Sequence, residues 1–361
     1  MNNLEATFTE ISNWQKNVHY STGGTRSKYI ALNPDNNEEY FFKGSKETLD
    51  GEIRYPTEFW SEIVSSKIGQ YLGFEMLDYN IAYDKNHKQK IGCLSKSMIL
   101  HSENKLTEGI AYLTGYDAKY IPEKHKKKYT FQFINKALVE FGLGQYVEKI
   151  IEIIVFDCIV GNSDRHQENW GIISYYKDIY DKVDEHLDKN NKKISDKFSN
   201  FFTKLYVLLL KIKVEEKHTF KKADLITELK FIPHMFAPIY DSGCCLGREH
   251  EDIKIEKLIT DVKMLEIYIN KGESEIHWEG LGKKSKHFEL LKLLIENYPN
   301  QTKPYIDKII ERFNGNKILE IVQNIDVNLP SELFNYKLSE NRKVLMSKLI
   351  TLRIEKILSL I

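Results

Sequence analysis

Between Phe156 and Ile173 the chain reads Phe-Asp-Cys-Ile-Val-Gly-Asn-Ser-Asp-Arg-His-Gln-Glu-Asn-Trp-Gly-Ile-Ile. The apolar run from Ile150 to Ile159 ends at Gly161. A dense polar cluster follows: Asn162, Asp164, Arg165, His166, Glu168 and Asn169. From Trp170 to Ile173 the chain turns apolar again. A buried element, a short polar loop and a short buried strand account for this pattern. So many ionisable side chains between two buried flanks mark a site carried on a loop and held by a rigid scaffold.

Phosphoryl transfer needs a carboxylate near the acceptor hydroxyl and a second group on the metal. In protein kinases an Asp and an Asn on one loop fill these roles, the Asn five residues after the Asp. Asp164 and Asn169 have that spacing. A further carboxylate must arrive from elsewhere, just after a buried strand. Met235-Phe-Ala-Pro-Ile-Tyr-Asp241-Ser-Gly243 supplies one. Asp241 followed by Ser242 and Gly243 has the shape of the metal-binding Asp-Phe-Gly.

Gly161-Asn-Ser-Asp-Arg-His-Gln-Glu-Asn169-Trp-Gly, with Ala237-Pro-Ile-Tyr-Asp-Ser-Gly243 downstream, resembles the HipA-like serine/threonine kinases. Asp-Arg-His-x-x-Asn is also similar to the catalytic loop of phosphatidylinositol kinases, a related fold. Either half alone reads better as an Asp/Asn-rich turn closing a helix. Both together, in this chain order, favour the kinase.

The chain has 361 residues, enough for two domains or one bilobal one. Hydrophobic residues make up 42%, so a sizeable core can form. Lys+Arg and Asp+Glu both number 52. That balance gives no global reason to bind nucleic acid or a membrane surface. Four cysteines, at positions 93, 158, 244 and 245, form no Cys-x-x-Cys pair. Reduced, mostly buried thiols are expected. Met1-Asn-Asn-Leu-Glu-Ala lacks the basic and apolar segments of a classical secretion signal, and no stretch approaches a membrane span. The expected location is cytoplasmic, or exported by a route without such a signal.

In chain order, Leu4 to Trp14 reads as a short amphipathic helix. Gly23 and Gly24 sit in a loop rich in small hydroxyl residues, able to turn backbone N–H groups towards phosphates. Strands are expected at Tyr29 to Leu32 and Glu39 to Lys43, joined by the Asn33-Pro-Asp-Asn-Asn37 turn. Lys43 ends the second strand. A Lys there can hold the α- and β-phosphates of ATP if a carboxylate on the next helix orients it. That helix is expected from Thr57 to Tyr71, with Glu58 and Glu62 one turn apart. Glu58 also suits a first-turn acid facing the helix dipole. Met76 to Tyr83 and Gly92 to Ile99 read as two more strands, and Lys105 to Lys128 as irregular, packed down by Tyr112, Tyr116, Tyr120 and Tyr129. Apolar helices follow at Thr130 to Phe141 and Gln145 to Val160.

Asp241 lies 67 residues beyond Ser174 (241 − 174), much further than a simple kinase hairpin requires. Residues 175–230 therefore read as a helical insertion. Its apolar face, Phe201, Leu205, Leu208, Leu209 and Ile212, suits internal packing better than docking. The C-terminal third is helical, with apolar spacing at His287 to Tyr298, Lys303 to Phe313, Lys317 to Asn324, Pro330 to Tyr336 and Asn341 to Ile361.

The resemblance covers most of the chain and implies the rest. The fold it implies is α+β and bilobal: a small β-rich N-lobe over residues 1–101 and a large, mostly α-helical C-lobe over 102–361. The cofactors are ATP and Mg²⁺. Asp164 handles the acceptor proton, and Asn169 and Asp241 hold the metal. Lys43, oriented by Glu62, positions the nucleotide. Alignment of Leu72-Gly73 with the family's helix end selects Glu62 over Glu58. The loop at Gly23 and Gly24 covers the phosphates, and Ser97 and Met98 lie at the hinge by the adenine. Ser21, Thr22, Thr25 and Ser27 are candidates for autophosphorylation. Arg165 and His166 flank the loop, His166 as a brace for Asp241 or the backbone. The partner is a protein substrate, with an antitoxin or a host signalling protein as further partners by family habit. Two rivals stand beside this: a lipid kinase, with only His125-Lys-Lys-Lys128 as a basic segment, and a kinase-shaped binding module without activity. A nucleophilic role for Cys244 or Cys245 finds no His-Asn companion pattern.

Overall fold

The computed structural model describes residues 4–17, 26–48, 50–101, 103–179 and 222–361. The sequence-derived insertion thus lies mostly outside the described residues, as do Gly23, Gly24, Ser21, Thr22 and Thr25.

Two sheets and a helical body make up the described structure. The first sheet holds β1 (Phe8–Glu10), β2 (Gln15–Asn17), β3 (Arg26–Leu32), β4 (Glu39–Lys46), β5 (Tyr79–Tyr83) and β6 (Ile91–Lys96), in the order β1-β5-β6-β4-β3-β2. Alternation along each strand sorts its side chains onto two faces. Phe42 pairs with Leu94 and Lys43 with Cys93 across β4 and β6. Phe42 and Leu94 join Ile11, Tyr29, Ala31 and Ala82 in a small cluster on one face. Cys93 faces the main core, on the side covered by α1 (Glu58–Leu72). Strand parity therefore places Lys43 on the helix side of the sheet.

The N-terminal segment forms no helix, contrary to its apolar spacing. Phe8 pairs in parallel with Ile81, and Lys16 pairs antiparallel with Ala31. Both edges of the sheet gain a ladder, and Ile11 is fully buried between the two short strands. These hydrogen bonds outweigh a weak local pattern.

The stretch after residue 105 is also more regular than expected. β7 (Lys105–Glu108) pairs with β8 (Gly171–Ser174), which pairs with β9 (His234–Phe236). α2 (Gly109–Tyr116) follows β7 directly. Tyr112, Tyr120 and Tyr129 are buried there as anticipated.

α3 (Phe131–Glu140) is capped by Thr130, whose hydroxyl accepts the Phe133 N–H at 3.1 Å. α4 (Val147–Val160) is apolar on nearly every side and runs through the centre of the body. Around it lie α5 (Lys222–Phe231), α6 (Asp252–Thr260), α7 (Val262–Lys271), α8 (His287–Asn297), α9 (Pro299–Arg312), α10 (Gly315–Gln323) and α11 (Glu340–Leu358). Of these, α8, α9 and α11 pack on α4 itself. Sequence reading passes over the charged α6 and α7. α9 begins at Pro299, four residues before Lys303, because proline suits the first helical position.

Candidate active site

α4 delivers the chain to the polar loop. Gly161 ends the helix with φ 72°, a left-handed turn that glycine adopts without strain. A Cβ there would also lie 2.9 Å from the Arg353 guanidinium. The loop then folds on itself. Asn162 donates from Nδ2 to Asp157 Oδ1 at 3.0 Å, and the Asp164 N–H donates to Asn162 Oδ1 at 3.3 Å. Asn169 Nδ2 donates to the Asp164 carbonyl at 2.8 Å, which closes the five-residue loop.

Arg165 is fully buried and organises the whole arrangement. Its Nε and one terminal nitrogen donate to the two Asp157 oxygens at 2.9 and 2.8 Å. The same guanidinium donates to the Asn169 carbonyl at 3.0 Å, the Tyr240 carbonyl and the Ser242 hydroxyl at 3.0 Å. Burial pulls its pKa down, but the Asp157 charge outweighs this and holds it above the ordinary value. One side chain thereby joins the last turns of α4, the polar loop and the Asp-Ser-Gly segment. His166 braces the loop backbone and not Asp241: it is half-buried, and its Nδ1 accepts the Glu168 N–H at 3.3 Å. A planar five-donor fork can serve three segments at once, which an imidazole cannot.

The Asp-Ser-Gly segment meets α1. Lys43 Nζ pairs with Glu62 and, at 2.8 Å, with Asp241 Oδ1. The Ser242 N–H donates to Glu62 Oε2 at 2.8 Å. At Gly243 a Cβ would sit 2.8 Å from Glu62 Oε1, so only glycine lets the loop approach the helix this closely. Asp241 itself has φ 54°, a strained value for a residue with a side chain. Its N–H donates to the Tyr79 hydroxyl at 3.4 Å. Lys43, Glu62 and Asp241 thus meet although they stand on a strand, a helix and a distant loop.

Glu58 is more than a first-turn acid. It is 1% exposed, pairs with Arg248 and accepts the Lys46 N–H at 2.8 Å. Arg248 also stacks over the Tyr55 ring, 4.5 Å from its centroid. Ser97 is buried beyond β6, where its hydroxyl donates to the Ile99 carbonyl at 2.9 Å and its N–H to the Glu39 carbonyl at 2.8 Å. Met98 is half-buried beside it. Ser27 lies within β3.

No protein-family model matches the chain. The serine/threonine-protein kinase CtkA of Helicobacter pylori is 22% identical over 334 residues, covering 90% of this chain and 80% of that protein. The crystal structure of a Helicobacter pylori proinflammatory kinase CtkA superposes with a TM-score of 0.65 at 19% identity, over 98% of this chain and 96% of that one. The chain has a protein-kinase-like fold.

The chain keeps its four cysteines out of disulfides, and all four are buried. Burial pushes the Cys158 thiol up to about 12 and raises Cys245 as well. Thiols held protonated in this way are poor nucleophiles, which removes Cys245 from that role. Two site features escape sequence reading: the Arg165 cross-link and the Glu58–Arg248 pair. Asp157 and Arg165, eight residues apart (165 − 157), were the available signal for the first, since a buried Arg demands a buried acid. Nothing local announces the second.

Proposed function

We propose that this chain transfers the γ-phosphoryl group of ATP to serine or threonine hydroxyls of a protein. The observation that carries this reading is the meeting of Lys43, Glu62 and Asp241 beside the loop of Asp164 and Asn169. Asp164 takes the proton as the acceptor oxygen bonds to phosphorus and the β–γ bridging P–O bond breaks, releasing ADP. Lys43, held by Glu62, places the α- and β-phosphates. The catalysis is positioning and charge stabilisation.

Asn169 and Asp241 fit a magnesium ion by the chemistry of their donors. Asn169 uses its amide N–H on the Asp164 carbonyl, which leaves the carboxamide oxygen as its remaining polar end. Asp241 adds a partly exposed carboxylate. Mg²⁺ prefers such oxygens and completes its shell with water and substrate phosphates. Bound there, it neutralises charge on the transferring phosphoryl group.

Residues 1–101 form the nucleotide-covering lobe and 102–361 the catalytic lobe in this account. Ser21, Thr22, Thr25 and Ser27, beside Gly23 and Gly24, are the candidates for a self-modification that silences the enzyme. The description of the Helicobacter pylori relative as a proinflammatory kinase favours an effector acting on a host protein over an antitoxin-controlled toxin. Among the described residues no helix is long and apolar enough to cross a membrane.

Calorimetric titration with a non-hydrolysable ATP analogue tests the nucleotide site. Binding is expected to require Mg²⁺ and to weaken at least about tenfold in Lys43→Met, the scale of one charged hydrogen bond. Binding of equal strength without Mg²⁺ and in the variant contradicts the assignment.

A further inference from the structure

Cys244 directly follows the Asp-Ser-Gly segment and touches the loop of Asp164 twice. Its carbonyl accepts the Ser163 N–H at 3.3 Å. Its thiol lies 3.1 Å from Asp164 Oδ2. A second acceptor, Glu58 Oε1, is 3.9 Å away, so the shorter contact decides for Asp164. The backbone of Asp164 is fixed independently, by Asn162 at its N–H and Asn169 at its carbonyl. Those bonds set where the residue stands but leave its side-chain torsions open. Among the described residues, the Cys244 thiol is the group whose hydrogen bond holds the carboxylate itself. Cys244 is buried, at 6% exposure, so water does not easily replace its thiol.

We propose that Cys244 is a positioning residue for phosphoryl transfer. Its S–H donates to Oδ2 of Asp164 and fixes the rotamer from which Oδ1 takes the proton of the acceptor hydroxyl. This rests on the kinase reading of Asp164 given above. The backbone contact through Ser163 keeps the thiol and the carboxylate in register. A thiol is smaller in charge and weaker as a donor than a lysine or arginine. It therefore orients Asp164 without neutralising it, as a general base requires.

The test follows ADP release from ATP and Mg²⁺ with dephosphorylated casein as acceptor, in the wild type, Asp164→Ala, Cys244→Ala and Cys244→Ser. The expected result is a kcat for Cys244→Ala lowered roughly tenfold, the scale of one hydrogen bond to a charged group, with KM for ATP unchanged. Cys244→Ser keeps a donor and restores most of kcat. A purely structural cysteine would instead move KM and thermal stability together and gain nothing from serine over alanine, which overturns the proposal. Equal kcat in Cys244→Ala and the wild type also overturns it. If the wild type releases ADP no faster than Asp164→Ala, the kinase reading of Asp164 fails first, and the positioning role falls with it. That result is distinct from a fast wild type with an indifferent Cys244.

Discussion

At the scale of single residues, Arg165 is the buried charge on which the site depends. Its two bonds to Asp157 satisfy a carboxylate that is 2% exposed. Removing one partner of such a pair strands the other without water, at a cost of about 3–5 kcal/mol. Arg165→Met is therefore expected to lower unfolding stability by that amount, measured by urea denaturation. A loss below about 1 kcal/mol would show that Asp157 finds another partner. Activity should fall further than stability explains, because the same guanidinium holds the Tyr240 carbonyl and the Ser242 hydroxyl. Asp164, Asn169 and Asp241 could be singled out from the sequence because kinase chemistry sets their spacing and chain order. The bracing role of Arg165 could not. It depends on contacts across 4 to 77 positions of sequence, of which the spacing of Asp157 and Arg165 was the one local hint.

At the scale of elements, two joints set the geometry. The first is the end of α4, where Gly161 turns left-handed against Arg353. Gly161→Ala forces a Cβ into a left-handed conformation, at a cost of about 1–2 kcal/mol from backbone strain alone. A lowered urea midpoint is the expected outcome, and an unchanged midpoint would mean that the turn relaxes freely. The second joint is α1 against the Asp-Ser-Gly segment, where Gly243 admits Glu62 and Arg248 reaches Glu58. The long helices α1, α4 and α11 were readable within a few residues of their ends. The first strands were not, since Leu4 to Trp14 carries a helix-like spacing that sheet pairing overrides. α6 and α7 were missed because each is short and buries only two side chains, Ile255 and Leu258 in the first and Leu265 and Ile269 in the second.

At the scale of the whole molecule, burial of histidine gives stability a dependence on pH. His287 is 1% exposed, with neither ring nitrogen hydrogen-bonded among the described residues, and Arg353 lies nearby. Burial first, then the Arg353 charge, hold its pKa well below 6.5. Burial likewise lowers His87, His250 and His277. A depressed histidine is neutral in the folded state while the unfolded chain takes up a proton. Stability is thus full above pH 6.5 and falls as the pH drops below it, towards each folded pKa. His287 alone contributes a slope approaching about 1.4 kcal/mol per pH unit in that window. Urea midpoints are expected to decline from pH 7.5 to 5.5, less steeply in His287→Leu. Equal midpoints at the two pH values would contradict this. The bilobal α+β architecture was readable from the order of strands and helices. The course of the chain between β8 and α5 was not, since residues 180–221 have no counterpart in a simple kinase hairpin and lie outside the described residues.

The central claim is that Asp164 serves phosphoryl transfer, and one measurement addresses it most directly. Purified wild-type protein and Asp164→Ala are incubated with γ-labelled ATP and Mg²⁺, alone and with casein, and label on protein is followed over time. The wild type is expected to label serine or threonine. Asp164→Ala is expected to transfer roughly a hundredfold to ten-thousandfold more slowly, the range for loss of a general base, while binding nucleotide as before. Undiminished transfer by Asp164→Ala would contradict the account.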